Sequence, residues 1–506
     1  CTRRGRRRRR RTTIALLLGL VSQQARVASP LSATRPSSHS VPKQHKQTPA
    51  SPRRAEKNNN DAARVVVVGG GASGTFAAIA AKRAAPRADV VLVESGATGL
   101  RKVLASGGGR CNVMHAFEDG QDGDDLRRFL ELHYPRGRRE LRGPMAARFG
   151  PREARRFFED DLGVALKTEA DGRVFPTTDD SRTIADALER AAHDAGVQTL
   201  YSWPVAGVRQ SGCCPEHARS FVVARSNGND VIEADAVVLA TGSAKAGYAM
   251  ARALGADVAP PYPSLFSFRT IRSEKHAAIL DARLAGVVVK DATVALEGLD
   301  QSPSKKIAPQ RGPLLVTHRG VSGPAALKLS AFAAEALRDS EYRGALVVNL
   351  VPGVDDVRAA LQRYRRDHAA GVVANDKKRP FADRLPARLW AALARVVVGD
   401  DTIRWGDLDN KQLGALAIAC SALRVPFAGR DANKDEFVTA GGVRLNQLDP
   451  KTMQAKRLPG LFFCGELLDI DAVTGGFNFQ ACWTTGHLAG TGAAQHALLA
   501  AAAAAS

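Results

Sequence analysis

Arg64-Val-Val-Val-Val-Gly-Gly-Gly-Ala-Ser-Gly74 is the stretch on which the reading of this chain turns. Four β-branched residues in succession, with no polar relief, predict a strand buried on both faces. Gly69, Gly71 and Gly74 then follow the spacing G-x-G-x-x-G, and Phe76, Ala77, Ile79 and Ala80 continue at helical spacing towards Pro86. Asp89-Val-Val-Leu-Val93 predicts the next strand, with Glu94 at its end, 20 residues after Gly74. Each residue type has a physical reason. Gly69 permits a tight turn. Gly71 has no Cβ, so a pyrophosphate can approach the backbone. Gly74 lets the helix lie close against the strand, and the first N–H groups of that helix, at Ala72 and Ser73, face the phosphates. Glu94 can accept hydrogen bonds from a ribose 2′-OH, and its charge argues against a 2′-phosphate at the same place.

Outward from this unit, Ser106-Gly-Gly-Gly-Arg-Cys-Asn112 can bring backbone N–H groups, the Arg110 guanidinium and the Asn112 amide to a phosphate or a ring edge. Ala236-Val-Val-Leu-Ala-Thr-Gly242 is a second buried strand, ending in Thr241-Gly242 where a backbone passes close to a ligand. A third strong signal stands near the C-terminus. Gly460-Leu-Phe-Phe-Cys-Gly-Glu466 is an apolar strand ending in Gly465-Glu466, and Gly475-Gly476-Phe477-Asn478 opens a helix running towards Ala500. A carboxylate at that strand end can bind ribityl hydroxyls, and the following helix N-terminus can stabilise the negative charge of a reduced flavin ring. A dehydrogenase using only a nicotinamide has no need of this second element.

Between these ends, Glu153–Leu162 and Ile184–Ala195 are expected as helices, the latter stopped by Gly196. Short strands are expected at Phe266–Thr270, Ala285–Leu296, Pro313–Thr317 and Ala345–Leu350, forming a barrel or antiparallel sheet. His318-Arg-Gly-Val-Ser-Gly-Pro324 interrupts them, with Ser322 a candidate helix cap and His318 a candidate site residue. Helices follow at Val357–Tyr364, Leu389–Val397 and Lys411–Leu423.

The net charge of +21 would suggest a nucleic acid or an acidic membrane if it were spread over the fold. It is not: residues 1–57 hold 15 of the 72 basic residues and a single acid, Glu56, which leaves 57 basic and 50 acidic residues elsewhere. A nucleic-acid-binding body is therefore not expected, although a local patch stays open. The extension begins with the basic run Arg6–Arg11, continues with an eight-residue apolar segment from Ile14 to Val21, and then turns rich in Ser, Pro, Ala and Arg. Eight residues cannot span a bilayer. The pattern is that of a signal-like segment followed by a transit-like one, so an organelle is expected, a plastid ahead of a mitochondrion. The seven cysteines include no C-x-x-C, so neither a zinc site nor a dithiol relay is expected; Cys213-Cys214 reads as a surface loop.

These motifs, together with Gly172-Arg-Val-Phe-Pro176, Thr317–Pro324, Thr439-Ala-Gly-Gly-Val443 and Gly465–Asp471, resemble the bacterial YhiN-like FAD-dependent oxidoreductases, a family that includes 3-dehydro-bile-acid-reductase-like and aminoacetone-oxidase-like flavoproteins. The resemblance runs from about Arg64 to about Gly492. It implies an α/β chain with a Rossmann-like FAD-binding domain built from both ends, residues 63–258 and 446–506. Inserted into it are a β-barrel-like domain, 259–352 with 436–445, and a small helical subdomain, 353–435, while 1–62 lie outside the fold. FAD would be held by Gly69, Gly71, Ala72, Ser73, Gly74, Glu94, Ser106, Gly107, Gly108, Arg110, Asn112, Thr241, Gly242, Gly465, Glu466, Gly475, Gly476, Phe477 and Asn478. One departure is the short segment Ser243–Tyr248 after Thr241-Gly242, which bears on the substrate side of the site.

The chemistry expected is hydride transfer between a small organic substrate and flavin N5, with NAD(P)H as a transient donor that visits without a Rossmann site of its own. His318 and Arg110 are the candidates for orienting or protonating substrate. An amine or aminoketone oxidase using oxygen, an FAD-binding RNA-modifying protein and a redox-silent scaffold are the alternatives. The sequence leaves the oligomeric state open.

Overall fold

In the computed structural model, residues 62–117, 123–211, 219–226, 228–271, 282–298, 307–431 and 438–505 are described, so the basic extension and Cys213-Cys214 lie outside the described residues. The valine run forms β1 (Arg64–Val68), and the glycines lead into α1 (Ala72–Ala84) and β2 (Asp89–Val93). Three further parallel strands complete the sheet: β3 (Gln198–Leu200), β4 (Ala236–Leu239) and β5 (Leu461–Phe463). The strand order is β5-β4-β1-β2-β3. Val65 lies opposite Ala236 and Val66 opposite Val237, while Val237 in turn pairs with Leu461. The strand that begins the domain and the one near the end of the chain are thus separated by a single strand. Val65, Val66 and Val67 are fully buried, as a strand covered on both faces requires.

The last helix, α2 (Phe477–Ala505), packs along α1. Small residues set the closeness of that packing. A Cβ on Gly486 would lie 2.7 Å from Ser73 O, and one on Gly490 would lie 2.1 Å from Ala77 O. Larger side chains at these two positions would push the helices apart.

A linker of two antiparallel strands, Val258–Ser264 and Val438–Val443, leads out of this domain and back. Beyond it is a closed six-stranded barrel of Ser267–Thr270, Gly320–Ser322, Gln310–Val316, Val288–Glu297, Arg343–Asn349 and Leu423–Asp431, in that spatial order. Leu423–Asp431 corrects the expected boundary. It falls within the range assigned to the helical subdomain, yet it pairs with Arg343–Val348 and closes the barrel against Ser267–Thr270. The helices Val357–Asp367, Ala387–Val398 and Asn410–Ser421 are therefore an insertion between two adjacent barrel strands. They share one hydrophobic core with the barrel, in which Phe268, Leu314, Leu346, Trp390, Trp405 and Leu416 are buried together.

Ser322 does not cap the helix Pro324–Phe332. Gly323 occupies the N-cap at φ +91°, and the Ser322 hydroxyl is instead 2.6 Å from that of Ser267. The expected helix Glu153–Leu162 is an α-turn, Pro151–Arg156, that widens into a π-helical turn, Phe157–Asp161. Among the described residues no helix is long and apolar enough to cross a membrane.

Candidate FAD-binding site

The site begins where β1 ends. Gly69 has φ +112°, and a Cβ there would lie 2.5 Å from Ala240 O; one on Gly74 would lie 1.9 Å from Gly69 O. These two glycines thus allow the turn and the close helix that the spacing predicted. Gly71 differs, because nothing stands within 4 Å of where its Cβ would be. It is the N-cap of α1, whose first turn carries no acid and no side-chain cap. The free N–H groups and the positive end of the helix dipole consequently open onto accessible space, which is the donor set a pyrophosphate needs. Glu94 stands beside them. Its Oε2 accepts from Gly70 N and its Oε1 from Gly96 N, each at 2.7 Å. An ionised carboxylate keeps further acceptor capacity for a ribose hydroxyl after these two bonds.

Ser106–Asn112 is the kinked tail of the helix Arg101–Gly109, with Gly107, Gly108 and Gly109 at φ +60°, +68° and +84°. Cβ atoms on Gly108 and Gly109 would again meet open space. Asn112 ties this loop to the far end of the chain. Its amide oxygen accepts from Gly476 N at 3.0 Å while its nitrogen donates to Met114 O at 2.9 Å. Gly476 itself, at φ +92°, would place a Cβ 2.4 Å from Met114 O. Asn478 is similarly engaged, exchanging two 3.0 Å hydrogen bonds with the backbone of Ala472. The structure therefore makes Asn112 and Asn478 braces of the backbone around Met114, Ala472 and Gly476.

The other C-terminal residues arrive at the same crevice. A Cβ on Gly465 would lie 2.2 Å from Ser73 Oγ, and Gly465 N donates to Thr485 Oγ1 at 3.0 Å. Glu466 forms an ion pair with Lys102, and its Oε2 stands 3.6 Å from the Cβ position of Gly242. Thr241 follows Ala240 directly at the end of β4, and the helix Lys245–Ala253 starts only three residues after Gly242, so the shortened Ser243–Tyr248 segment is used to begin a helix. The glycines of the first motif, Thr241-Gly242 and Gly465-Glu466 are thus brought to one place from three distant parts of the chain.

The sequence reading named Phe477 but missed the two histidines stacked on it beside the start of α2. Phe477 stacks with His133 at a centroid distance of 4.0 Å and with His115 at 4.5 Å. His115 Nδ1 is 3.2 Å from Gly475 O, and His133 Nδ1 is 2.7 Å from Phe129 O. Burial lowers the His133 pKa to about 4, and it lowers that of His115 too, partly offset by the Gly475 hydrogen bond. Lys328, on the helix Pro324–Phe332, adds a small repulsion to both shifts. His115 directly follows the Ser106–Asn112 loop by three residues, and that adjacency was the available signal.

Arg110 and His318 are placed differently from expectation. The Arg110 guanidinium lies 4.0 Å over the Phe175 ring and pairs with Glu169 at 2.8 Å and Asp179 at 3.2 Å. Two carboxylates and a ring hold it as a brace of the loop, not as a group presented to substrate. His318 is exposed at the tip of the hairpin between Gln310–Val316 and Gly320–Ser322. That tip adjoins Thr270, the far end of the strand from its linker side. Among the described residues no cluster of His, Cys, Asp and Glu is arranged to hold a metal ion.

The cradle fits FAD: two anion-accepting helix starts, glycines that leave room where side chains would intrude, and a carboxylate at each of two strand ends. When bound, FAD supplies a two-electron carrier for hydride transfer. Comparison with known proteins agrees. The profile of the HI0933-like protein Rossmann domain matches residues 63–492. The chain is 28% identical over 437 residues to a 3-dehydro-bile acid delta(4,6)-reductase of Clostridium scindens, spanning 84% of this chain and 97% of that relative. It is also 28% identical over 431 residues to a ribosomal RNA dihydrouridine synthase of Escherichia coli, spanning 82% and 93% respectively. Among solved structures it is similar to a 3-ketosteroid-delta4-(5alpha)-dehydrogenase of Rhodococcus jostii, at 15% identity, a TM-score of 0.46 and 85% and 96% coverage. With residues 69–74 and 465–466 meeting on one cradle, the protein belongs to the HI0933-like family and is an FAD-dependent oxidoreductase.

Proposed function

We propose that the chain reduces a carbon–carbon double bond conjugated with a carbonyl, and that NAD(P)H restores the reduced flavin. The observation that carries this reading is the start of α2. Gly475 and Gly476 lead into the N-terminus of α2 beside the stacked rings of His115, His133 and Phe477. That positive end would favour negative charge on a flavin ring bound beside it, which suits a reductase. The names of the two curated relatives support the chemistry, since a delta(4,6)-reductase and a dihydrouridine synthase both add hydrogen across a ring double bond.

The test is anaerobic addition of NADH or NADPH to the yellow holoprotein. Bleaching within seconds, followed by return of the colour on adding a conjugated enone, is the expected result. Bleaching only by an amine or aminoketone, with peroxide formed on admitting air, would establish an oxidase instead.

A second reading concerns the size of the substrate. The double bond reduced could be that of a uracil within an RNA instead of a free small molecule. A concentration of cations on the helical subdomain favours it. Mass spectrometry of ribonuclease digests, seeking uridine heavier by two hydrogens, separates this reading from the first.

A further inference from the structure

We infer that the groove between the barrel and the helical insertion is the surface on which an RNA substrate's phosphodiester backbone is held; this rests on the RNA reading above. The groove has a volume of about 630 Å³ and runs between the turn Ala282–Leu284, residues 374–379 and the helix Ala387–Val398. Five cations line it: Arg283, Lys377, Arg379, Arg388 and Arg395. They come from all three segments, so the charge stands on both walls of a trench. A trench with cations on both sides suits a chain-like polyanion better than a flat bilayer.

The one carboxylate lining the groove, Asp376, offsets only one of the five. Asp376 turns Oδ2 towards Tyr364 Oη at 2.7 Å and Trp405 Nε1 at 3.0 Å, and Oδ1 accepts from Lys378 N at 2.8 Å. Its work is to hold the loop that carries Lys377 and Arg379. The arginines are likewise set in place by backbone contacts. Arg379 Nη2 donates to Leu385 O at 3.0 Å, and Arg388 Nη2 donates to Arg283 O. Arg379 Nε is buried and has no partner among the described residues. Arg395 is tied to an acid, through Nε to both oxygens of Asp401 at 2.9 Å. Guanidinium groups held in fixed orientation are suited to phosphate oxygens, which they meet through paired N–H donors. The small charge excess of the chain beyond residue 57 conceals this local concentration, because acids elsewhere balance it.

The experiment uses the full-length holoprotein and a labelled uridine-containing RNA hairpin. Residues 1–57 are themselves basic, so binding alone does not locate the contact. Ultraviolet crosslinking followed by peptide mass spectrometry does, and crosslinks within 374–395 are expected. The double variant Lys377→Glu with Arg388→Glu should weaken binding about tenfold or more at moderate salt, and should lower the slope of log affinity against log salt by about 2. The milder pair Lys377→Ala with Arg388→Gln should show the same direction if the reversal impairs folding, with melting temperature as the control. Crosslinks confined to residues 1–57, or an unchanged salt slope, would overturn the proposal. So would displacement of RNA by poly-glutamate at equal charge concentration, which would indicate an acidic protein as the partner. Reduction of free enones without any action on RNA would leave the proposed chemistry standing while removing this surface from it.

Discussion

At the scale of single residues, Gly71 and Gly74 belong to one motif yet carry different burdens. Gly74 faces the carbonyl of Gly69 at a distance no Cβ can tolerate, whereas Gly71 faces open space. Gly74→Ala should therefore separate α1 from β1 and lower the melting temperature markedly, while Gly71→Leu should leave the fold intact and abolish flavin retention. Visible absorbance and thermal denaturation of the two variants check this, and a yellow, stable Gly71→Leu protein would contradict the role given to that glycine. His133 supplies a pH dependence. Its folded pKa is lowered to about 4 by burial, against about 6.5 in an unfolded chain. Between these values the unfolded chain binds a proton that the folded chain refuses, so stability is full above about 6.5 and is lost as the pH falls towards 4. His133→Phe should flatten melting temperature against pH across that window, and an unchanged profile would show that other groups govern acid unfolding.

At the scale of elements, the contact between α1 and α2 depends on glycine. Gly490→Val should cost about 1–3 kcal/mol by overpacking against Ala77, read from urea denaturation at constant m-value. The same scale shows what was legible in the sequence. A strand buried on both faces announces itself locally, by four valines in a row, and a glycine turn announces itself by spacing. The strand Leu423–Asp431 signals only its type, through Pro426 and the alternation of Leu423, Val425 and Phe427; which sheet it joins depends on partners about 80 and 160 residues back. The Ser322 cap failed for a related reason. A positive-φ glycine took the N-cap, and cross-strand pairing took the hydroxyl. In the site, glycines were readable because their reason is backbone geometry. Arg110, Asn112 and Asn478 were recognised as belonging there, but whether a polar side chain faces a ligand or braces a loop depends on partners such as Glu169, Asp179 and Ala472 that only the fold reveals.

At the scale of the whole molecule, the FAD-binding domain and the barrel must keep a fixed relation if a substrate is to meet surfaces from both. One buried cluster holds that relation. Arg136, from the first part of the FAD-binding domain, donates from Nη2 to Asp471 Oδ2 at 2.7 Å, and Asp471, from the C-terminal part, also accepts from Ser264 Oγ of the linker at 2.6 Å. Arg136 Nη1 reaches Tyr262 Oη at 3.2 Å on the same linker strand, where the Arg338 guanidinium of the barrel lies 4.6 Å over the Tyr262 ring. Burial raises the pKa of Asp471 and Arg136 opposes it, so the carboxylate depends on its partner to stay charged. Its side chain is 0% exposed, which makes an unmatched charge costly on either side. Removing one partner, as in Asp471→Leu, should cost about 3–5 kcal/mol, whereas replacing both, with Arg136→Met added, should cost less than the sum of the two single changes. Urea denaturation of the four proteins in the cycle measures that coupling. If the double variant also retains flavin yet turns over an enone poorly, the cluster's contribution is the alignment of the two domains. Strict additivity, with full turnover in every variant, would show that the linker sheet alone is enough to hold them.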